Sequence, residues 1–195
     1  QRQMCIRDRF GEAVNKDLVG TFGNLVNRTV TQVSRHFGDV VPDGGEPEQL
    51  EVDLAGRVAA RLGEYLDHLD ALEFRKATAA LRALWAEGNG YLEQREPWRT
   101  VKTDRDRTAC TLRTALELIV LCTVASDPFL PFTCATLRGA FGGVPWSGLP
   151  LDRSLTGLRL EPGAAFEPPG LLFAKVDAEQ LAAWEEQFGG QEAAR

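Results

Sequence analysis

Between Phe10 and Phe37 the apolar positions Phe10, Val14, Leu18, Phe22, Leu25, Val26, Thr29, Val33 and Phe37 recur at three- and four-residue spacing. That spacing puts them on one stripe of a long amphipathic helix, which Gly38-Asp39 ends. Such a stripe must be covered, so the rest of the chain has to supply packing partners. A loop built on Pro42, Gly44, Gly45 and Pro47 follows. A second helix is expected from about Pro47 to Leu69, with Leu50, Leu54, Val58, Leu62 and Tyr65 on one face. A third is expected from about Asp70 to Tyr91, carrying Leu72, Phe74, Ala77, Leu81, Leu84 and Trp85, with Pro97 halting any continuation. A fourth, from about Asp104 to Ala125, carries Leu112, Leu116, Ile119, Val120 and Val124. The run from Asp127 to Phe132 then breaks the chain, and a short helix leads to Gly142. Nothing repeats at the period of a solenoid, so the pattern predicts an all-α fold, a helical bundle.

Two flanks differ from this body. Residues 1–9 show neither helical nor strand periodicity and read as a non-native or disordered leader. Residues 143–195 form a Gly/Pro-rich C-terminal extension, with a short extended run from Leu171 to Val176 and a final helix that Asp177 can cap, ending at Phe188. The bundle is assigned to residues 10–142.

Composition narrows the function classes. At 195 residues, with 44% hydrophobic and 26% charged content, the chain can bury its own core. The longest apolar stretch, around Leu116 to Ala125, reads as too short to cross a bilayer, and no secretory leader is recognisable, so a cytoplasmic protein without membrane contact is expected. Cys5, Cys110, Cys122 and Cys134 lack metal-ligand spacing and have no nearby histidine, so no metal site is expected and the cysteines read as small core residues. His36 and His68 read as isolated polar residues on helix surfaces. The net charge of −6 argues against bulk coating of DNA or RNA. Locally the balance reverses: Asn24 to Phe37 contains no acid, and Arg95 to Arg107 carries five basic residues against Glu96, Asp104 and Asp106. A small basic footprint on an acidic body suits a protein that reads one loop and releases it.

Asn24 and Arg28 stand one helical turn apart on the same face. An amide supplies a donor and an acceptor and a guanidinium supplies a rigid fork of donors, the groups needed to read a base edge in a single-stranded loop. The plain alternative is a surface Asn beside an Arg held in a salt bridge. Pro97 presents Trp98 on a short rigid loop, where an exposed indole offers a face to a nucleobase; the plain alternative is a Trp that closes the core. Arg35, Arg99 and Lys102 are candidates for phosphate contacts. Asn27 reads as an inter-helix or helix-to-loop hydrogen bond, Asn89 as a helix-end group that helps position the Pro97-Trp98 loop, and Trp85, Trp146 and Trp184 as core or interface residues.

The segments Phe22-Gly23-Asn24-Leu25-Val26-Asn27-Arg28 and Tyr91-Leu92-Glu93-Gln94-Arg95-Glu96-Pro97-Trp98 resemble the anticodon-recognition elements of methionyl-tRNA synthetase, a class I aminoacyl-tRNA synthetase. The resemblance runs from about Phe10 to Phe188. It implies the anticodon-binding helical bundle of such an enzyme, the methionine–tRNA ligase, with tRNA(Met) as partner and its CAU anticodon loop as the target. Asn24, Arg28, Pro97 and Trp98 would then be the anticodon-binding residues, with no catalytic residue in this chain. No His-x-Gly-His or Lys-Met-Ser-Lys-Ser signature occurs in the sequence, so ATP, with zinc as a further candidate, belongs to the rest of the parent enzyme, whose catalytic domain would be the other partner. The chain alone is expected to be inactive in aminoacylation. The rival readings are the bundle of another class I synthetase, such as the isoleucine, valine, leucine or cysteine enzyme, and a helical interaction module with no RNA role.

Overall fold

A computed structural model describes residues 9–142 and 160–188, and among them the regular structure is helical. Residues 1–8 of the expected leader lie outside the described residues, as do Cys5 and Trp146, whereas Arg9 is already helical. The elements are α1 (Val14–Gly23), α2 (Asn24–Phe37), α3 (Gln49–Asp70), α4 (Phe74–Arg95), α5 (Pro97–Thr100), α6 (Arg105–Ser126), α7 (Pro131–Ala140) and α8 (Ala178–Phe188).

The expected long first helix is continuous but changes winding. α1 is a π-helix that passes directly into the α-helix α2 at Asn24. The uniform four-residue interval of Phe10, Val14, Leu18 and Phe22 suits a helix wound wider than 3.6 residues per turn. Thr21 Oγ1 accordingly donates to the carbonyl of Lys16 at 3.0 Å, five residues back. From Leu25 the mixed three- and four-residue spacing restores the α pitch, and Leu25, Val26, Thr29, Val30 and Val33 are buried. Gly38 ends α2 in the left-handed region at φ 75°, where its missing Cβ removes the steric penalty.

α3 and α4 form a helical hairpin turned at Ala71-Leu72-Glu73, so α4 begins four residues later than the reading that started the third helix at Asp70. α3 opens on a capping box in which the Glu48 and Glu51 side chains satisfy each other's backbone N–H groups. α4 meets α2 at Gly88, where a Cβ would stand 2.7 Å from Leu25 Cδ2, so the glycine leaves room for the Leu25 side chain of α2. Phe22 stacks on Trp85 with ring centroids 4.9 Å apart, and the Trp85 indole donates to Ser126 Oγ at 3.1 Å. Trp85 is therefore a core residue that ties α1, α4 and α6 together.

α6 runs through the middle of the bundle. By length and composition it could cross a membrane, contrary to the expectation that no stretch is long enough, yet 78% of its apolar window is buried by its neighbours. Its apolarity on all sides is that of a core helix. Cys110 and Cys122 lie buried along it and Cys134 on α7, all unpaired.

The described part of the extension packs on the same core. Leu160 and Phe166 join the buried cluster, the Phe166 ring centroid lies 5.2 Å from that of Phe141, and the Val41 N–H donates to the Ala164 carbonyl at 2.8 Å beside an antiparallel bridge between Val40 and Ala165. The extended run passes α1, where the Asn15 amide holds both backbone groups of Val176 at 2.7 and 2.8 Å. Asp177 caps α8 by accepting from the Gln180 N–H at 2.8 Å, as the sequence predicts. Trp184 is half-buried against Phe10 at 6.3 Å.

Candidate nucleic-acid interface

The junction after α4 is built by a buried charge network. Glu51, its side chain 5% exposed, accepts from Arg95 Nε at 2.8 Å and Nη2 at 2.5 Å, and from the Tyr91 hydroxyl at 2.6 Å. Burial alone would raise the Glu51 pKa; the bonds from Arg95 and Tyr91 outweigh it and hold the carboxyl below its ordinary value. Burial and the same carboxylate push the Tyr91 hydroxyl far up, so it stays a donor. Glu48 adds a 3.0 Å bond from Arg95 Nη1 and pairs with Arg107 at the start of α6. Arg95, the last residue of α4, is thus clamped from α3.

With Arg95 held, the chain leaves α4 through Glu96 in the left-handed region at φ 43° and starts α5 with Pro97 in its first turn. Trp98 therefore sits on a one-turn helix where a loop was expected, because Pro97 is pre-set for a helix start as well as for a helix stop. α5 is anchored at its far end as well, through Thr100 and Thr108, whose hydroxyls lie 3.0 Å apart.

Trp98 is half-buried, with the Arg28 guanidinium 4.9 Å from its ring centroid. The two segments singled out in the sequence therefore form one surface. Arg28 also pairs with Glu93 at 2.7 Å, so the salt bridge and the stacking contact coexist. A cleft of about 160 Å³ opens there, lined by Asn27, Arg28, Thr31 and Gln32 of α2 and by Leu92, Pro97 and Trp98. Gln32 Oε1 is buried without a hydrogen-bond partner, a state that costs about 1–3 kcal/mol.

Asn24 holds a partner that the sequence did not announce, and Asn27 departs from its expected role. The Asn24 amide donates to Asn89 Oδ1 at 2.9 Å, and Asn89 Nδ2 donates to the carbonyls of Thr21 at 2.9 Å and Trp85 at 3.3 Å. Asn24 is thereby engaged between helices at the π-to-α transition. Asn89 ties α4 to α1 instead of positioning the turn at Pro97, since it lies two turns before the helix ends. Asn27 is exposed and makes no side-chain hydrogen bond among the described residues, because one residue after the buried Val26 the helix face has turned to solvent.

The basic footprint is smaller than the sequence implied. Arg95 and Arg107 are spent on Glu48 and Glu51, and Arg105 lies over the Phe37 ring at 4.5 Å while donating to the His36 carbonyl at 2.8 Å. Arg35 and Lys102 are exposed, and Arg99 pairs with Glu96 at 2.9 Å while its side chain stays 73% exposed. Sequence reasoning missed Glu51 because residue type does not distinguish it from the neighbouring acids Glu46, Glu48 and Asp53; its place at the third helical position of a capping box was the available signal.

A family model for the anticodon binding domain of methionyl tRNA ligase matches residues 41–193. The chain belongs to this family. A methionine–tRNA ligase of Streptomyces avermitilis is 42% identical over 187 residues, 94% of this chain and 32% of that protein. One from Caulobacter vibrioides is 44% identical over 186 residues, 95% of this chain and 33% of the relative. The chain thus spans about a third of the length of the curated relatives it matches. Both alignments are long enough to include α2 as well as α5. Among solved structures, the free form of Mycobacterium tuberculosis methionyl-tRNA synthetase superposes with a TM-score of 0.73 at 25% identity, covering 86% of this chain and 34% of that one. The methionyl-adenylate-bound form of that enzyme gives 0.71 at 26% identity, covering 83% and 32%. The match displaces the rival assignment to another class I synthetase and to a module unrelated to synthetases.

Proposed function

We propose that this chain reads the CAU anticodon of tRNA(Met) for a methionine–tRNA ligase that acts in the cytoplasm and attaches methionine to tRNA at the expense of ATP. The observation that carries the reading is the Arg28 guanidinium over the face of a half-buried Trp98, at the cleft between α2 and the α4–α5 junction. A base entering the cleft stacks on the indole, and Arg28, released from the exposed Glu93, bonds its edge. Pro97 fixes the start of α5 and hence the indole plane. Asn24 acts through its bond to Asn89, which holds the register of α2 against α4. Arg35, Arg99 and Lys102 hold phosphates, so positioning is separated from specificity. Aminoacylation belongs to the whole enzyme, with ATP, and zinc as a further candidate, bound by parts other than this chain. Its partners are the anticodon loop and the catalytic domain, with no DNA and no membrane.

Binding of the chain to an anticodon stem-loop bearing CAU, against loops with one anticodon base changed, tests the reading at fixed low salt. Trp98→Ala is expected to abolish the CAU preference while melting cooperatively, since stacking on one base is worth about 1–3 kcal/mol. Equal affinity of the unaltered chain for all loops would refute the function.

A further inference from the structure

The cleft at Trp98 has a neighbour. A second groove, of about 470 Å³, lies between α2 and residues 168–172, and Asn27 and Thr31 line both concavities. Along this groove α2 presents Asn27, Thr31, Ser34 and Arg35, at i, i+4, i+7 and i+8, a single helical face. None of these side chains bonds to a described residue, and no acid lines either concavity. Across the groove, Pro168 and Pro169 offer no N–H groups, and Leu171 is 78% exposed.

We propose that the cleft and the groove are one track across α2 that takes two successive nucleotides of a single-stranded RNA loop, the second lying against Asn27 and Thr31 with its phosphate at Arg35. This rests on the anticodon-reading function proposed above and adds to it a subsite walled by residues 168–172. The chemistry fits a nucleotide at each point. Uncharged donors and acceptors suit a base edge, an exposed leucine suits a base face, and the one guanidinium stands at the end of the row. Asn27 and Arg35 are eight residues apart on α2, about 12 Å along the axis, against about 3.4 Å per stacked nucleotide, so the face has room for a base beyond the one on Trp98. Val26, Val30 and Leu172 line the groove beside Leu171 and add apolar surface for a base face, while a protein partner would find no acid there to pair with.

The double variant Asn27→Ala/Thr31→Ala tests this without disturbing the core, because Asn27 and Thr31 are exposed and unbonded. The unaltered chain, the double variant and Trp98→Ala are compared on the CAU stem-loop and on loops with each anticodon base changed singly, with thermal melting as the control for folding. The double variant is expected to melt like the unaltered chain and to bind the CAU loop roughly tenfold more weakly, about the value of one hydrogen bond to a base. Its preference should vanish at one anticodon position and survive at the position where Trp98→Ala removes it. Unchanged affinity with every preference retained overturns the track, and so does a uniform weakening at all positions. In either case the loss of preference in Trp98→Ala leaves the anticodon reading intact. No preference in the unaltered chain overturns both.

Discussion

Glu51→Gln isolates the network that aims Trp98. The substitution keeps the shape and removes the charge, so Tyr91 retains an acceptor while Arg95, with 14% of its side chain exposed, loses a two-bond carboxylate. Removing one partner of a buried ion pair costs about 3–5 kcal/mol, because the other charge stays buried. Glu48 still reaches Arg95 at 3.0 Å from a half-exposed position, which places the loss near the lower end, about 3 kcal/mol. That is a large share of the roughly 5–15 kcal/mol that holds a domain together. The dependence on pH has a definite sign. The Glu51 carboxyl is depressed in the folded chain, so its contribution is fully present above its ordinary value of 4.5 and is lost as pH falls through the folded value. Urea unfolding followed by far-UV circular dichroism is therefore expected to show a wide gap between the unaltered chain and Glu51→Gln at neutral pH, closing in acid. A gap under about 1 kcal/mol at neutral pH, the range of an exposed pair, would refute the assignment of a buried clamp, as would curves that stay parallel into acid.

Two further substitutions probe the interior of α2 and its contact with α4. Thr29 is fully buried and its hydroxyl has no partner, so Thr29→Val should stabilise the chain by about 1 kcal/mol, raising the melting temperature by about 2–4 °C; a fall would show that the hydroxyl is satisfied in solution. Gly88→Ala drives a Cβ to within 3.0 Å of Leu25 and Leu118, and should cost about 1–3 kcal/mol in chemical denaturation; a neutral result would mean that α2 and α4 separate without penalty.

The helical class, the order of the elements and most of the core faces were legible in the chain because apolar periodicity directly encodes which side of a helix is covered. Phe10, Leu72 and Phe74, read as stripe positions, are exposed because they lie at a helix start or in the turn between α3 and α4. Leu54, Val58, Leu62 and Tyr65 fall on the buried face of α3 as read. The pairing of Arg28 with Trp98 was legible only through resemblance, since seventy intervening residues carry no local signal of proximity. The winding of α1 was not read, because four-residue spacing fits both a π-helix and a loosely matched α-helix.

Sequence by itself determined an all-α bundle, the breaks at Gly38, Pro97 and Pro131, and the capped last helix, all of which follow from local backbone preference and periodicity. Tertiary structure decided which charges are free. The start of α3 supplies Glu48 and Glu51 to Arg95 and Arg107, which removes two arginines from the footprint and commits them to the junction before Trp98. It also decided that Asn24 bonds to Asn89 while Asn27 and Arg35 face open grooves. Whether a polar side chain recognises a ligand or holds a fold depends on the partners that distant segments bring within about 3 Å, and residue type and spacing along one helix do not contain that information.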